Sequence, residues 1–334
     1  MKALRHAGLA SATAAVLGIL IAHLGLHAAI RGPVSGFVFD ERTRSLRPVN
    51  GLPGAALLGE PVPLTLPIQS AVASRNGNFA LAVGSGDQPQ IFVIRALDGD
   101  APQMISLGAV ASSFEKLVMN ELETVAALYS RDAGRILVIT GIPDNPAISR
   151  VIDVSSLPGA LTALAVSSDG AEVLVGMADE TSGAIYLLRN SSSGQDTRLL
   201  HAMPSPSAVA FLHSGADVVA SDRASNRIVL IRAIRDSAER LVLADAESGI
   251  QAPSGVQALN DGKAIVVVNS GNDTVTVINL EAGSVLSTIS VPGHATRCDK
   301  IGSGSLMVLN EPGAAPLLLL EFDGGPKISF VPRD

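Results

Sequence analysis

Histidines and the acidic or amide side chains of short loops are the residues of this sequence that could do chemistry. Three histidines remain after residue 29, at His201, His213 and His294. His201 falls at the end of a predicted strand and His213 in a predicted turn, and neither has the spacing of a metal-ligand motif. His294 follows Pro292-Gly293 in a joint between repeated units, where it could serve a binding face or only form local hydrogen bonds.

Loops that recur along the chain carry most of the other polar candidates. They are Asp87, Asp132 with Arg131, Asp179-Glu180, Asp222-Arg223, Asn269 with Asn272-Asp273, and Asn310-Glu311. If these loops meet around one opening, they could hold a cation, or a hydroxyl-rich or cationic ligand. Alternatively, Asp and Asn are ordinary turn residues that bond their own backbone.

We take eight of these residues as ligand-binding candidates. They are Asp132, Asp179, Glu180, Asp222, Arg223, Asn269, Asn272 and His294. Ala220, Ala224 and Ser225 are small neighbours, which predicts that the Asp222-Arg223 pair is accessible. No two candidates have the sequence spacing of a recognised catalytic dyad, so a claim of enzymatic activity would rest on analogy of fold.

Composition and missing motifs exclude several classes of function. The chain contains no Cys-x-x-Cys-His haem motif, phosphate-binding loop, nucleophile elbow or calcium loop, so we predict no cofactor and no metal. After loss of Lys2 and Arg5, 22 basic residues face 31 acidic ones, which argues against binding nucleic acid. Trp is absent and the two tyrosines lie in predicted strands, so aromatic platforms for bases or sugars are missing. The one cysteine, Cys298, is interpreted as a small buried apolar residue.

The elements that must position these loops are short strands in a repeating unit. Residues 253–291 hold four apolar runs of strand length separated by turns, beginning with the hairpin signal Asn260-Asp261-Gly262. Equivalent turns lie near residues 76, 121, 169, 214 and 303. Their spacing of about 42–48 residues matches the blade repeat of β-propellers. The composition does not shift between repeats, so residues 35–332 are predicted to form a single domain.

One repeat resembles a known family. Val266-Val267-Val268-Asn269, the loop through Asp273, and Val275–Asn279 are similar to the YVTN-type repeat of secreted bacterial seven-bladed propellers. Val266–Val268 replace the Tyr and Thr of that motif, so no subfamily activity can be transferred. The resemblance implies a closed ring of seven four-stranded antiparallel blades with almost no helix.

Residues 35–67 match the repeat least well. Phe37–Asp40 and Ser45–Val49 align with the third and fourth strands of the later repeat, and two short apolar runs follow them. We interpret this stretch as a divergent first blade that packs next to the last repeat and closes the ring. The alternative is a six-bladed ring with an N-terminal hairpin attached.

Two classes of function remain open. The first is a non-catalytic propeller that binds a protein or a small polar ligand in the cell envelope, expected to be a monomer without a membrane span. The second is a hydrolase of the lactonase-like propeller type, in which acidic residues and His294 near the channel bind a metal or activate water.

Residues 1–29 have the pattern of a secretory signal peptide. Lys2, Arg5 and His6 precede the apolar run Ala7–Ala22, and Ala28 and Ala29 offer a cleavage point. An uncleaved membrane anchor is the alternative, but His23 and His27 interrupt the run near the required length of about 20 residues. We therefore predict a periplasmic or extracellular protein.

We expect N-terminal sequencing of the exported protein to begin near Ala29–Arg31, because the small residues there suit signal peptidase. Recovery of a chain with intact Met1 from the membrane fraction would contradict cleavage.

Overall fold

The structure is a computed structural model that describes residues 32–86, 89–110, 113–191, 194–302, 304–313, 315–322 and 325–332. The predicted signal peptide, residues 1–29, lies outside the described residues, and Pro33–Asp334 form one compact unit. The strands in chain order are β1 (Val34–Asp40), β2 (Ser45–Asn50), β3 (Leu57–Leu58), β4 (Ile68–Ala73), β5 (Phe79–Gly84), β6 (Gln90–Arg95), β7 (Gln103–Ala109), β8 (Lys116–Met119), β9 (Val125–Ser130), β10 (Arg135–Thr140), β11 (Ala147–Asp153), β12 (Ala160–Val166), β13 (Glu172–Ala178), β14 (Gly183–Ser191), β15 (Gly194–Ala202), β16 (Pro206–Phe211), β17 (Val218–Asp222), β18 (Arg227–Arg232), β19 (Glu239–Ala244), β20 (Pro253–Ala258), β21 (Ala264–Asn269), β22 (Thr274–Asn279), β23 (Ser284–Ser290), β24 (Asp299–Ile301), β25 (Leu306–Val308), β26 (Leu317–Glu321) and β27 (Lys327–Val331).

These strands form seven antiparallel sheets, the blades of a propeller. Blade 1 has the order β1-β2-β3, and blades 2 to 7 have four strands each, from β4-β5-β6-β7 to β24-β25-β26-β27. The predicted seven-bladed, all-β propeller is therefore confirmed, with a first blade of three strands instead of four. Among the described residues the only helix is one 3-10 turn, Ala246–Ser248. That part of the chain includes no helix with the length and apolar character to span a membrane.

Apolar side chains between neighbouring blades form the core. The described residues contain seven clusters of buried apolar side chains, one at each interface between adjacent blades. A central strand such as β5, Phe79–Gly84, is buried along its whole length because its alternate side chains enter two different interfaces. For this reason such strands are apolar throughout, without the polar alternation of a half-exposed sheet.

The loops divide between two ends of the ring. In blades 2 to 7 the first-to-second and third-to-fourth turns lie at one end, which we call the turn face, since neighbouring strands are antiparallel. The second-to-third loops and the joints between blades lie at the other end, which we call the joint face. Ser74, Asn120 and Ser167 fix three turns of the turn face, because each side chain accepts a backbone N–H five residues later, from Phe79, Val125 and Glu172 respectively.

Blade 1 differs from the alignment made on sequence. Two glycines of first-to-second turns place the start of β1 at the turn face: a side chain at Gly77 would meet the Phe37 ring, and one at Gly302 would meet the Ser35 carbonyl. β1 therefore runs opposite to the first strands of the other blades. The hairpin at residues 41–44 also ends on a residue with positive φ, Arg44, as the second-to-third loop of blade 5 ends on Asn226. β1, β2 and β3 are thus the second, third and fourth strands, and the alignment with third and fourth strands was wrong by one strand.

The ring closes by packing between blade 1 and blade 7. Val38 and Val49 of blade 1 share a buried apolar cluster with Ile301, Val308 and Leu319 of blade 7. Each of the two blades is built from one contiguous stretch of chain, so the described residues exchange no strand at the closure. The free energy that holds the first and last blades together is therefore hydrophobic burial.

Leu319→Ala is expected to destabilise the protein by about 2–5 kcal/mol, because this fully buried side chain lies in the closing interface and its removal leaves a cavity. Urea unfolding followed by circular dichroism measures the change. The matched control is Leu286→Ala in the outer strand β23, where the side chain is exposed and the loss should be within about 0.5 kcal/mol. Equal midpoints for the two variants would show that this interface does not stabilise the ring.

Candidate functional site

The eight candidates from the sequence do not converge on the central cavity. Residues of the innermost strands line a channel with a volume of about 700 Å³, and none of the eight is among them. Seven of them instead form hydrogen bonds within their own loop or to the adjacent joint, and Glu180 is an exposed residue of the turn at Asp179. Asp87, an acidic loop residue that is not among the eight, lies outside the described residues. Ligand binding by the eight candidates stays a prediction.

Asp222 is a structural residue of its loop. Its side chain is only 2% exposed, and Oδ1 accepts the N–H of Ser205 at 3.0 Å and of Ala224 at 3.2 Å. Ser225 Oγ donates to its Oδ2. The expectation that Asp222 is accessible was therefore wrong, because small neighbours let the loop backbone fold over the carboxylate. Arg223 is exposed, and its backbone N–H donates to the carbonyl of Ser205.

Asn269 has the same role in the next blade. It is fully buried, accepts the N–H of Gln251 at 3.3 Å, and donates to the Thr274 and Thr276 hydroxyl groups. The Asn of the YVTN-like motif thus joins the loop to the preceding joint and to the third strand. Its amide group has no side exposed to a ligand.

Asp179 organises its own turn. Its Oδ1 accepts the N–H groups of Thr181 and Ser182, each at 2.8 Å. These hydrogen bonds to the ionised form lower the pKa of Asp179 below its usual value. Glu180 follows it as an exposed residue of the same turn.

Three candidates lie on the joint face in local pairs. Asn272 donates to the Gly249 carbonyl at 3.3 Å, and Asp132 accepts the Ser113 hydroxyl at 3.0 Å. His294 Nδ1 lies 3.1 Å from Asp273 Oδ1, and the imidazole is 88% exposed. This His–Asp pair joins an interblade joint to a second-to-third loop through side chains that solvent can reach, as the Ser113–Asp132 and Glu115–Arg131 contacts also do.

The turn-face end of the channel is crossed by a network of charged residues. Glu121 of blade 3 accepts from Lys300 of blade 7 at 2.7 Å and from Gln257 of blade 6 at 3.4 Å. Arg75 of blade 2 binds the same carboxylate at 3.1 Å, and its backbone N–H donates to Glu123. Since Glu121 connects four blades across the axis, this network obstructs the channel at the turn face.

The joint-face end of the channel has a charged rim whose contacts stay within neighbouring blades. Arg297 binds Asp299 and, at 3.2 Å, Glu311, all in blade 7. Burial alone would lower the pKa of Arg297, but the two carboxylates raise it. A hydrogen bond to the Glu311 carboxyl, together with burial, raises the pKa of Glu41 in the blade 1 hairpin. Because none of these contacts crosses the axis, we identify the joint-face rim as the opening of the channel.

Lys116 lies on the channel wall in blade 3. Its Nζ donates to the Thr162 carbonyl of blade 4 at 2.6 Å. Burial lowers the pKa of Lys116, and the negative charge of Asp299 opposes the shift. Burial likewise raises the pKa of the Cys298 thiol, which confirms the interpretation of Cys298 as a small buried side chain.

Sequence reasoning missed the channel residues because they belong to the innermost strands and their turns. Glu121 and Arg75 lie in first-to-second turns, and Arg297 and Lys300 lie in or beside the short strand β24. One signal could have found them, namely charged residues within innermost strands, such as Lys116 and Lys300, because most residues of such strands are apolar or small.

Asp222→Ala is expected to destabilise the protein by about 1–3 kcal/mol, because the buried carboxylate is the acceptor of the Ser205 and Ala224 N–H groups. Arg223→Ala, the matched control in the same loop, removes an exposed side chain and should change stability by less than about 0.5 kcal/mol. Urea unfolding of the two single variants separates the effects. A loss of stability in Arg223→Ala but not in Asp222→Ala would contradict the structural role of Asp222.

Comparison with known proteins identifies the fold and goes no further. No protein-family model matches the sequence, and no curated protein matches it. Among solved structures, a protein from Lactobacillus plantarum is similar with a TM-score of 0.62 and 13% identity, over 90% of this chain and 95% of that chain. A candidate 6-phosphogluconolactonase from Bacteroides fragilis has a TM-score of 0.59 and 12% identity, over 89% of this chain and 92% of that chain.

A third similar structure has a different activity. Virginiamycin B lyase from Staphylococcus aureus has a TM-score of 0.55 and 14% identity, over 79% of this chain and 84% of that chain. One fold therefore carries a candidate lactonase and a lyase, and at these identities the likeness extends to the fold alone. The chain is a seven-bladed β-propeller, similar in fold to these proteins.

Proposed function

We propose that this chain is a non-catalytic, exported propeller of the YVTN-like type that binds a protein or small polar ligand through the joint-face rim of its channel. The observation that carries the proposal is the asymmetry of the channel. Glu121 and its partners obstruct the turn face, whereas the rim around Arg297 and Glu311 makes contacts only between neighbours.

The size and charge of the cavity support this function. Its volume of about 700 Å³ lies within the range of about 300–1,000 Å³ found for ligand pockets. Apolar or small residues of the innermost strands line the cavity together with nine charged residues. A lining that combines apolar and charged groups suits a ligand with both an apolar and a polar part.

The rim can be tested with a thermal-shift screen of peptides and small polar compounds. A compound that binds only the folded protein raises the melting temperature by mass action. We expect Arg297→Gln to reduce the shift of compounds that stabilise the wild-type protein, since that guanidinium lies at the opening. Each variant is compared with its own ligand-free melting temperature, so that loss of the Asp299 and Glu311 contacts does not affect the comparison.

Arg223→Gln is the matched control for this screen. It changes an arginine of the joint face that does not line the cavity. Equal shifts of melting temperature in Arg297→Gln and wild-type protein, with a smaller shift in Arg223→Gln, would contradict binding at the rim. That result would favour binding at the second-to-third loops.

A lactonase-like hydrolase is the second candidate, favoured by the His294–Asp273 contact at 3.1 Å. The pair is exposed, so water weakens the electrostatic effect that an enclosed site would give it. We expect the wild-type protein and His294→Ala to show no hydrolysis of 6-phosphogluconolactone above the buffer rate. Hydrolysis that is lost in His294→Ala would favour the enzyme.

A further inference from the structure

Blade 1 lacks an innermost strand in the described part of the chain. In blades 2 to 7 a first strand separates the second strand from the channel, as β16 separates β17. In blade 1 the second strand, β1, itself lines the channel through Phe37, Val38 and Phe39. β1 contacts the innermost strands on both sides, β4 and β24, so the vacant position lies between these two strands.

The backbone of β1 presents a free edge to this position. The carbonyl groups of Leu46 and Pro48 in β2 accept the N–H groups of Val62 and Gly59, respectively, each at 2.8 Å. The carbonyl groups of Leu46 and Pro48 therefore point away from β1. Phe39 is paired with Leu46 and Phe37 with Pro48. In an antiparallel ladder the backbone groups of Phe37 and Phe39 therefore point to the channel.

These groups have no strand partner among the described residues, because β1 pairs only with β2. The corresponding residues of blade 5, Val219 and Ser221, pair with Ala210 and Ala208 of β16. The N–H and C=O groups of Phe37 and Phe39 thus offer the pairing that a first strand uses elsewhere in this protein.

The vacant position is closed at the turn face. A Cβ atom at Gly36 would lie 3.0 Å from Ile301 Cβ, and one at Gly302 would lie 2.4 Å from the Ser35 carbonyl oxygen. β24 therefore meets the start of β1 at that end, beside the network of Glu121. A strand can enter only from the joint face, with one of its own ends leading.

We propose that β1 binds the carboxy-terminal tail of a partner protein as an extended strand in this position. This proposal rests on the proposed binding function and specifies the ligand of that function. Such strand addition uses main-chain hydrogen bonds for affinity. Every strand pair in the described sheets is antiparallel, and an antiparallel partner of β1 runs from the joint face to the turn face. The tail therefore enters with its carboxylate leading.

The charges at the closed end fit that direction. Lys300 Nζ and the Arg75 guanidinium lie there, both bound to Glu121, and Arg75 Nε also lies 3.4 Å from Glu123 Oε1. Lysine has three N–H donors and arginine five, so both can bind a second carboxylate. Side chains of the tail would be small and apolar, as in the chain's own innermost strands β4 and β16.

A synthetic peptide with the sequence of Ile68–Ala73, labelled with fluorescein at its amino end, is the probe for the exported protein. We expect a rise in fluorescence anisotropy on binding, with affinity about tenfold lower for the peptide amide, which lacks the charged acceptor. Equal binding of the acid and the amide, or no binding of either, would overturn the proposal.

Two N-methylated peptides test the backbone pairing without changing the protein. One carries N-methyl groups on the odd-numbered amides and the other on the even-numbered amides, so that only one set blocks the groups facing β1. We expect one peptide to bind as the parent does and the other to lose binding. Equal behaviour of the two would exclude a strand ladder.

Phe39→Pro removes the channel-facing N–H of β1, and Phe39→Leu keeps it as the matched control. Proline is tolerated on an edge strand where the N–H has no ladder partner, so both variants should fold. We expect the proline variant to lose peptide binding and the leucine variant to keep it. Should the proline variant fail to fold, the N-methylated peptides still test whether the peptide pairs with the backbone of β1.

Hydrogen exchange of backbone amides tests the other occupant that this position could have, the chain's own residues before Gly32. Phe37 and Phe39 amides should exchange rapidly in the exported protein and slow down when peptide is added. Protection without peptide would show that the chain fills its own position and would overturn the proposal. If the peptide fails while thermal shifts still depend on Arg297, the rim function stands and only its assignment to a peptide tail is lost.

Discussion

The structure depends on the requirement that each blade bury two apolar faces. A single four-stranded sheet such as β20–β23 has side chains on both sides and cannot cover them alone. Stacking around a ring gives every face a neighbour, and seven buried apolar clusters at seven interfaces are the result. Because the burial is shared equally, blades can vary in sequence while the interfaces stay apolar.

The same requirement explains how the ring closes without an exchanged strand. Blade 1 keeps the two faces that matter, with Phe37 and Leu46 packed toward blade 2 and Val38 and Val49 packed toward blade 7. Among the described residues β1 has no first strand beside it, so its other edge has no strand partner. An unpaired strand edge normally invites association with other chains. Here the edge faces the channel instead of the outer surface of the ring.

Turn chemistry made the fold predictable from the sequence. Asn260-Asp261-Gly262 and its equivalents located the first hairpin of six blades, because few residues tolerate the positive φ that such turns require. Blade 1 was misaligned because its strands were matched by apolar character, which second and third strands share. The stronger signal was Asp40 four residues before Arg44, which parallels Asp222 before Asn226: both aspartates cap a loop that ends with positive φ.

The candidate site could not be predicted in the same way. Asp222 and Asn269 have the residue types of ligand-binding groups, but only burial shows that their oxygens are already used by the backbone. The channel residues come together across 179 positions of sequence in the contact between Glu121 and Lys300, and no local pattern encodes such a distance. Local signals thus specify turns and strands, and the site arises from the ring.

The second-to-third loops and the joints, which share the joint face, differ in what sets their length. Three second-to-third loops, at residues 131–134, 223–226 and 270–273, have the same length and are each capped by a side chain, whereas the loop at residues 309–316 in blade 7 is longer. Joints differ more, from residues 203–205 to residues 291–298, since they need only connect an outer strand to the next inner one. The joint at residues 291–298 contains Arg297 of the rim, whereas Glu311 of the rim lies in the second-to-third loop of blade 7. Both kinds of segment therefore shape the opening of the channel, while the capped loops hold their blades.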